Sequence, residues 1–304
     1  MSKPKMIFNP AADRGRTDQV ARDLKHLVQE LGGADWTDTG SPGHAVQIAE
    51  QAAREGFDPV VAVGGDGTVH EVVNGLMRLQ APIRPRLGIV PVGSGNDFAG
   101  GIGIIRDPRQ ALRSVFAPRR LMPFDVGFIR DDKGRLEYWV NVVGIGFDAA
   151  VNLQSRRVAW VRGFLMYLLA VIRVIIQNYD APRMDINLDG ESLSKELLMF
   201  TVGNGPREGG GFMTTPASQY DDGILDYATV GRISRLMMFR LIPEVMRGTH
   251  GRFSCVTIGR LHHLSLKADR ALPVHIDGET FAAYEANVRG VEVGLEPAGL
   301  RLIL

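Results

Sequence analysis

Val60-Val61-Ala62-Val63-Gly64-Gly65-Asp66-Gly67-Thr68-Val69-His70-Glu71-Val72-Val73 joins an apolar run to a glycine-rich turn and then to an amphipathic segment. The run reads as a buried strand, and the stretch from Thr68 to Leu79 as a helix. Glycines at the junction let backbone N–H groups turn toward an anion with no Cβ in the way, and the helix offers its positive end to the same charge. A tight strand-to-helix turn without a ligand is the plainer reading. Asp66 weighs against it, because a carboxylate beside a phosphate cradle repels the phosphate unless a cation intervenes, which points to a magnesium nucleotide.

Around this stretch, short apolar runs alternate with helical patterns. Lys5 to Phe8 and Leu87 to Val90 read as strands, and Thr17 to Leu31, His44 to Glu55 and Pro108 to Phe116 as helices. That alternation predicts a parallel sheet covered on both faces, with ligands beyond the carboxyl ends of its strands. Past Met122-Pro123-Phe124-Asp125 the texture changes. Tyr138 to Val143, Met184 to Leu188, Leu197 to Val202, Ile224 to Val230, Phe253 to Ile258, His263 to Lys267 and Val274 to Ile276 are short runs with frequent turns, interrupted by helical patterns at Gly163 to Ile176 and Ser234 to Arg247. The expected architecture is α/β: a parallel-sheet nucleotide-binding domain over residues 1–124, to which 296–304 return, and a second, mostly antiparallel β-rich domain over 125–295.

Composition narrows the classes. The chain has 304 residues, 45% of them hydrophobic, enough for sizeable cores, and a net charge of +1 that gives no global case for nucleic acid. Cys255 is the single cysteine, which excludes an intramolecular disulfide and a cysteine-based zinc site. With only three apolar residues before Asn9-Pro10, the N-terminal stretch is no signal-peptide core, and a cytoplasmic protein is expected. The apolar segment Ala159 to Ile176 is interrupted by Arg162 and Arg173, so no transmembrane segment is expected. It reads as a domain-packing helix or as one lying on a lipid surface, with Arg156, Arg157 and Arg162 toward anionic headgroups.

A second glycine loop, Gly93-Ser94-Gly95-Asn96-Asp97-Phe98-Ala99, again follows a strand and opens a helix. Its backbone and the Ser94 hydroxyl are donors for an anion, while Asn96 or Asp97 can equally cap the helix. Asp97, at a strand end neighbouring that of Asp66, suggests a shared cation or water network.

With these two loops the chain resembles the diacylglycerol kinase catalytic domain family, shared by bacterial lipid kinases, sphingosine kinases and ceramide kinase. The resemblance extends over nearly the whole length. It includes Phe124-Asp125-Val126-Gly127, Asn141-Val142-Val143-Gly144-Ile145-Gly146-Phe147-Asp148, Gly203-Asn204 through Gly209-Gly210-Gly211, Asp221-Asp222-Gly223-Ile224-Leu225-Asp226 and Asp277-Gly278-Glu279. The first loop is common also to phosphofructokinases and NAD kinases; the others narrow the match.

The resemblance implies ATP against Asn9, the turn Pro10, Ala11, Ala12 and Asp13, then Thr39, the loop Gly64, Gly65, Asp66, Gly67 and Thr68, and Glu71 and Ser94. It implies Mg²⁺ on Asp222 with the main-chain oxygens of Gln219 and Ile224, linked through water to an aspartate network of Asp66, Asp97 and Asp125. Without it, Asp222-Gly223 reads as a turn and Asp277-Gly278 as a hairpin. The family places its general base in the last motif, on Asp277 or Glu279. Two departures stand out: Ser94 replaces a commoner threonine, and Gly100 stands where many relatives carry an arginine, with Arg106 no obvious substitute.

The implied activity is transfer of the γ-phosphoryl group of ATP to a lipid alcohol at a membrane surface, by default diacylglycerol, giving phosphatidic acid. A kinase of a soluble acceptor such as NAD, or a catalytically silent lipid-binding protein of the same fold, are the alternatives. Antiparallel edges in the second domain would also allow two copies to pair as a homodimer.

Overall fold

The computed structural model describes residues 3–15, 17–156, 163–177 and 180–304. In chain order the elements are β1 (Lys5–Phe8), α1 (Asp18–Glu30), β2 (Asp35–Asp38), α2 (His44–Arg54), β3 (Val60–Gly64), α3 (Asp66–Leu76), β4 (Leu87–Pro91), α4 (Asp97–Gly101), α5 (Pro108–Phe116) and β5 (Leu121–Asp131). There follow β6 (Leu136–Trp139), β7 (Val142–Gly146), α6 (Phe147–Ser155), α7 (Gly163–Gln177), β8 (Arg183–Leu188), β9 (Glu191–Gly203), β10 (Leu225–Gly231) and α8 (Arg235–Arg247). The last are β11 (Val256–Leu261), β12 (His263–Ala268), β13 (Val274–Ile276), β14 (Glu279–Ala282) and β15 (Gly290–Ile303). The chain divides into two compact units, Met1–Val126 with Pro297–Leu304, and Gly127–Glu296.

In the first unit β1, β3 and β4 are apolar runs, almost wholly buried, as a parallel sheet covered on both faces requires. The strand order is β2-β1-β3-β4, all parallel, with Leu302 of β15 beside Leu87. The chain runs outward from β1 to β2 and then crosses to β3 on the other side of β1, so the order reverses between β1 and β3. In open sheets of this kind that crevice, at the carboxyl ends of the strands, is where ligands bind. The registers Phe8↔Val63 and Val63↔Val90 bring the loops after all three strands to one rim. Leu24, Leu27 and Val28 of α1 and Leu112 and Val115 of α5 pack on Met6, Phe8, Val61 and Val63 to cover one face.

The second unit is built from antiparallel pairs. One sheet has the order β14-β13-β7-β9-β10-β11; a second runs from β9 through β8 and β12 to β15. The 13-residue β9 serves both: Glu191–Glu196 pair with β8, and Leu197–Gly203 with β10, the last five also with β7. Trp139, Phe200, Phe281, Leu264 and Ile276 belong to the core cluster these sheets share, and a second apolar cluster lies among α6, α7, α8 and β9. Among the described residues no helix is long and apolar enough to cross a membrane.

The α/β class with parallel strands first and an antiparallel β sandwich second agrees with the sequence reading. Several elements differ from it. Tyr138 to Val143, expected as one strand, is broken between Trp139 and Val142. Helix α6 was expected as part of the β-rich texture; Ala149, Ala150, Val151, Asn152 and Ser155 are all buried, so its polar residues lie inside and do not mark a solvent-facing stripe. Helix α3 begins at Asp66 rather than Thr68, because Gly65 in an extended conformation serves as its N-cap.

Candidate functional site

In the first unit the site starts from two glycine loops that touch. A Cβ on Gly93 would stand 2.5 Å from the Gly65 Cα, and one on Gly64 would stand 2.2 Å from the Thr68 hydroxyl. Only glycines permit this approach, which brings the loops after β3 and β4 back to back. Across the crevice, Asn9 Nδ2 donates to the buried Thr68 Oγ1 at 3.0 Å, while the Asn9 side-chain oxygen accepts from the Ala11 amide at 2.9 Å. Thr39 is tied to the end of β1 through its amide, which donates to the Phe8 carbonyl at 2.8 Å. Thus Asn9, the Pro10–Ala12 turn, Thr39 and the Gly64–Thr68 loop meet at the point where the strand order reverses. Gly65 brings no side chain to the start of α3, where the Thr68 amide donates to the Gly65 carbonyl at 2.9 Å. The positive end of such a helix is suited to an anion.

The acidic residues around it are occupied. The Asp66 carboxylate accepts from the amides of Asp97 and Phe98, each at 3.1 Å, one on each oxygen. The Glu71 oxygens accept from Gly43 and Ala45 at 2.8 and 3.0 Å and so brace the start of α2. Asp125, buried, accepts from the Ala298 amide at 2.7 Å, at a residue with φ +50°. The sequence reading asked a cation to offset Asp66; the fold meets that carboxylate with two backbone amides. Asp97 opens α4 beside Asp66, and ring contact between Phe98 and Phe124, centroids 5.8 Å apart, brings their neighbours Asp97 and Asp125 into the same region. Ser94 is exposed on the second loop.

At position 100, where many relatives carry an arginine, a residue from farther along the chain comes close. Arg106 lays its guanidinium against Gly100, with Nη2 3.5 Å and Nε 3.9 Å from where a Cβ at Gly100 would stand. Arg106, which the sequence offered as no obvious substitute, thus stands beside the vacant position. The absent side chain leaves room that the neighbouring arginine enters, a packing relation that linear spacing hides.

In the second unit Asp277-Gly278 is a two-residue hairpin turn between β13 and β14, with φ +51° and +81°, the left-handed pair that suits Asp-Gly. The Asp277 carboxylate reaches across the break between β6 and β7 and accepts from the amides of Val140 (2.9 Å), Asn141 (2.8 Å) and Val142 (3.2 Å). Its own amide donates to the Val142 carbonyl. The break therefore exists because a side chain takes the place of a strand partner. Asn152 of α6 and Arg156 donate to the Gly278 carbonyl at 2.7 and 3.2 Å, and Arg156 also pairs with Glu279 at 2.5 Å. Arg156 and Glu279 are 48% and 47% exposed, so this carboxylate, unlike that of Asp277, faces water. Arg157 and Arg162 lie outside the described residues.

Asp222 is exposed in the turn before β10, where its Oδ1 accepts from the Ile224 amide at 3.4 Å. That is the turn geometry read from Asp-Gly. Beside it, burial pushes the carboxyl of Asp226 above the ordinary range; the Arg260 guanidinium, 3.5 Å away, works against this and the Asp222 charge adds to it.

The second unit holds two further features, of which the first lies between the helical stretches Gly163 to Ile176 and Leu236 to Val245 expected as pocket walls. One is an apolar cavity of about 100 Å³ lined by Phe147, Ile175, Leu198, Phe212, Met238 and Leu241 among others. The other is a trio of which His275 is buried and Asp148 and Glu208 are partly buried. Burial alone pushes Asp148 up, yet the charge of His275, its hydrogen bond and those of Thr201 and Glu208 hold the carboxyl below the usual range. A histidine in the middle of the apolar run Val274-His275-Ile276 was the available signal for the trio.

The chain matches the family model of the diacylglycerol kinase catalytic domain over residues 3–129 and that of the YegS C-terminal NAD kinase beta sandwich-like domain over residues 141–304. A probable lipid kinase YegS-like of Chromohalobacter salexigens is 32% identical over 245 residues, covering 79% of this chain and 76% of that one. A diacylglycerol kinase of Mycobacterium tuberculosis is 28% identical over 304 residues, 97% of this chain and 94% of that one. The fold is similar to the crystal structure of a diacylglycerol kinase from Bacillus anthracis, with a TM-score of 0.73 at 20% identity, covering 99% and 96% of the two chains. It is more distantly similar to yeast NADH kinase, with a TM-score of 0.55 at 11% identity, covering 99% and 83%.

Proposed function

The chain belongs to the family of diacylglycerol kinases and YegS-like lipid kinases, and from that premise we propose that it transfers the γ-phosphoryl group of magnesium ATP to the hydroxyl of a lipid alcohol, diacylglycerol first among them. The observation that carries the nucleotide half is the anion site at the strand-order reversal, where Asn9 and Thr68 join the two sides of the crevice. The amides opening α3, the Ser94 hydroxyl and the Arg106 guanidinium are the groups there suited to phosphate. Mg²⁺, when bound, offsets phosphate charge, and Asp222 with the main-chain oxygens of Gln219 and Ile224 fits a structural site of the same ion: a hard carboxylate beside carbonyls in an exposed turn. Asp66 and Asp97 hold the two glycine loops in register, and Asp125 fixes the returning segment at Ala298.

On the acceptor side the two carboxylates of the Asp-Gly-Glu turn take different roles. Asp277 meets three backbone amides, so it positions the turn. Glu279 is the exposed carboxylate and takes the proton of the acceptor hydroxyl as the P–O bond forms. Phosphoryl transfer through a loose transition state asks little basicity of that group, since the proton leaves late. Arg156, paired with Glu279, orients it and is then free to meet the new phosphate.

The lipid tail is assigned to the apolar cavity, whose volume approaches the ~150 Å³ of an engineered cavity that takes up benzene. Helix α8 presents Met238 and Leu241 to it. Its outer face carries Leu236, 80% exposed, with Phe239 and Met246 at helical spacing, flanked by Arg235, Arg240 and Arg247. Glu244, the one acid of α8, is turned inward to Thr249 and Arg252. An apolar stripe edged only by arginines suits the surface of an anionic bilayer, where the substrate resides.

The test is transfer of labelled γ-phosphate into a panel of lipid alcohols in mixed micelles, with NAD as soluble control and Asp66→Ala as blank. Label in diacylglycerol, absent from the blank, is expected. Label in NAD alone, or in nothing while ATP still binds, would overturn the reading.

A further inference from the structure

The proposed transfer makes no use of Asp148, Glu208 and His275. Asp148 lies in the first turn of α6, Glu208 in the segment between β9 and β10 that a bridge to Phe212 closes, and His275 at the centre of β13. Helix, loop and strand thus each contribute one side chain to a single point. His275 Nε2 stands 3.5 Å from Asp148 Oδ2 and 3.4 Å from Glu208 Oε2, and all three atoms lie within 4.8 Å of one another.

Both contacts exceed the ~2.7–2.9 Å of a charge-assisted hydrogen bond. They equal instead the edge of a small coordination tetrahedron, since ligands held ~2.0–2.2 Å from a metal ion stand ~3.3–3.6 Å apart. Charge points the same way. The side chains of His275, Asp148 and Glu208 are only 4%, 15% and 13% exposed, and a proton on the imidazole offsets one carboxylate of the two. Two carboxyls this close at such low exposure need either a shared proton, as in the Asp148–Glu208 hydrogen bond, or a cation between them. The ring has no competing engagement: His275 Nδ1, on its far side, meets no hydrogen-bonding partner. Thr201 Oγ1 donates to Asp148 Oδ2 at 2.8 Å, as outer partners of ligating carboxylates do.

We infer that Asp148, Glu208 and His275 bind a first-row divalent cation of the zinc or manganese type, one imidazole and two carboxylates supplying three ligands and leaving one position open. Magnesium suits this set poorly, because it prefers oxygen ligands in near-ideal octahedra and keeps several waters. The cation is therefore distinct from the one that accompanies the nucleotide. Its place gives it a task. Strand β13 runs from His275 directly into Asp277, and α6 carries both Asp148 and the Asn152 that holds the Gly278 carbonyl. A metal ion here fastens strand, helix and loop together immediately behind the Asp-Gly-Glu turn.

The experiment uses the full chain, stripped with chelator and titrated with Co²⁺ and then Zn²⁺, with neither ATP nor lipid present, so that its outcome is independent of the kinase reading. Expected are one Co²⁺ per chain with visible d–d absorption, displacement by Zn²⁺ but not by excess Mg²⁺, and a higher melting temperature of the Zn²⁺ form. Glu208→Gln and His275→Gln are each expected to weaken binding at least ~10-fold. Both remove a buried charge or a potential one, so the metal-free variants should melt no lower than the metal-free parent. A parent that shows neither cobalt absorption nor a zinc-dependent shift would overturn the proposal, as would variants that bind as the parent does.

Discussion

Replacing Asp277 and Glu279 separately distinguishes a carboxylate that holds the backbone from one that handles a proton. Asp277→Ala removes the acceptor of three amides, at Val140, Asn141 and Val142, all of them residues that are buried. Hydrogen bonds to a charged group are worth ~1.5–3 kcal/mol each. The third contact is long, at 3.2 Å, and water reaches part of the turn, so the sum is about 3 kcal/mol. For a unit of this size that corresponds to a fall of roughly 6–12 °C in the transition of the second unit. Glu279→Gln loses only a pair whose members are half exposed, worth ~0–1 kcal/mol, and its melting temperature should move by less than about 3 °C. Turnover should divide the other way for Glu279→Gln, with kcat falling ~10²–10⁴-fold at unchanged affinity for ATP. Melting curves and labelled-phosphate transfer on the two proteins are the assay. A Glu279→Gln enzyme within a few-fold of the parent, or an Asp277→Ala protein with parental stability, would refute the division of roles.

Arg106→Ala should raise the KM for ATP about 5- to 10-fold with no change in melting temperature, the loss of one charge-assisted contact; an unchanged KM would mean that the guanidinium beside Gly100 meets no phosphate. Leu241→Phe, which enlarges a side chain on the cavity wall, should raise the KM for long-chain diacylglycerol and leave a short-chain analogue nearly unaffected; equal effects on both would remove the cavity from tail binding. Asp226 has its folded-state pKa raised by burial, so the ionised form that exists above that pKa is a burden on the fold. Asp226→Asn should therefore melt higher than the parent at pH 7, and the advantage should shrink as pH falls through the raised folded value and be gone well below 3.8, where folded and unfolded carboxyls are both protonated. A difference independent of pH would contradict the cause.

In the first unit β1, β3 and β4 were legible because they are covered on both faces and appear as apolar runs, whereas the edge strand β2, Asp35-Trp36-Thr37-Asp38, is polar and was missed. The rim where Asn9, Gly65 and Ser94 meet follows from that pattern alone. What was not legible is side-chain traffic to distant backbone. Nothing in the spacing says that Glu71 turns back to the amides of Gly43 and Ala45, or that Asp277 fills a gap 137 residues earlier at Val140. Carboxylates that look like ligands in a linear motif prove to be partners of the main chain. Arg106 illustrates the converse, since its nearness to Gly100 depends on the short α4 and the turn after it. Helix α6 escaped notice because it is short and buries polar and apolar residues alike, and with it went the meaning of Asp148, whose companions lie 60 and 127 positions away.

Strand β15 carries the chain back to the first unit, where Leu302 lies beside Leu87 and the Leu304 amide exchanges hydrogen bonds with Arg120. During synthesis the first unit therefore lacks one of its strands until all of Gly127–Glu296 has left the ribosome. A fragment ending near Val126 would carry the glycine loops on a sheet with an open flank at β4.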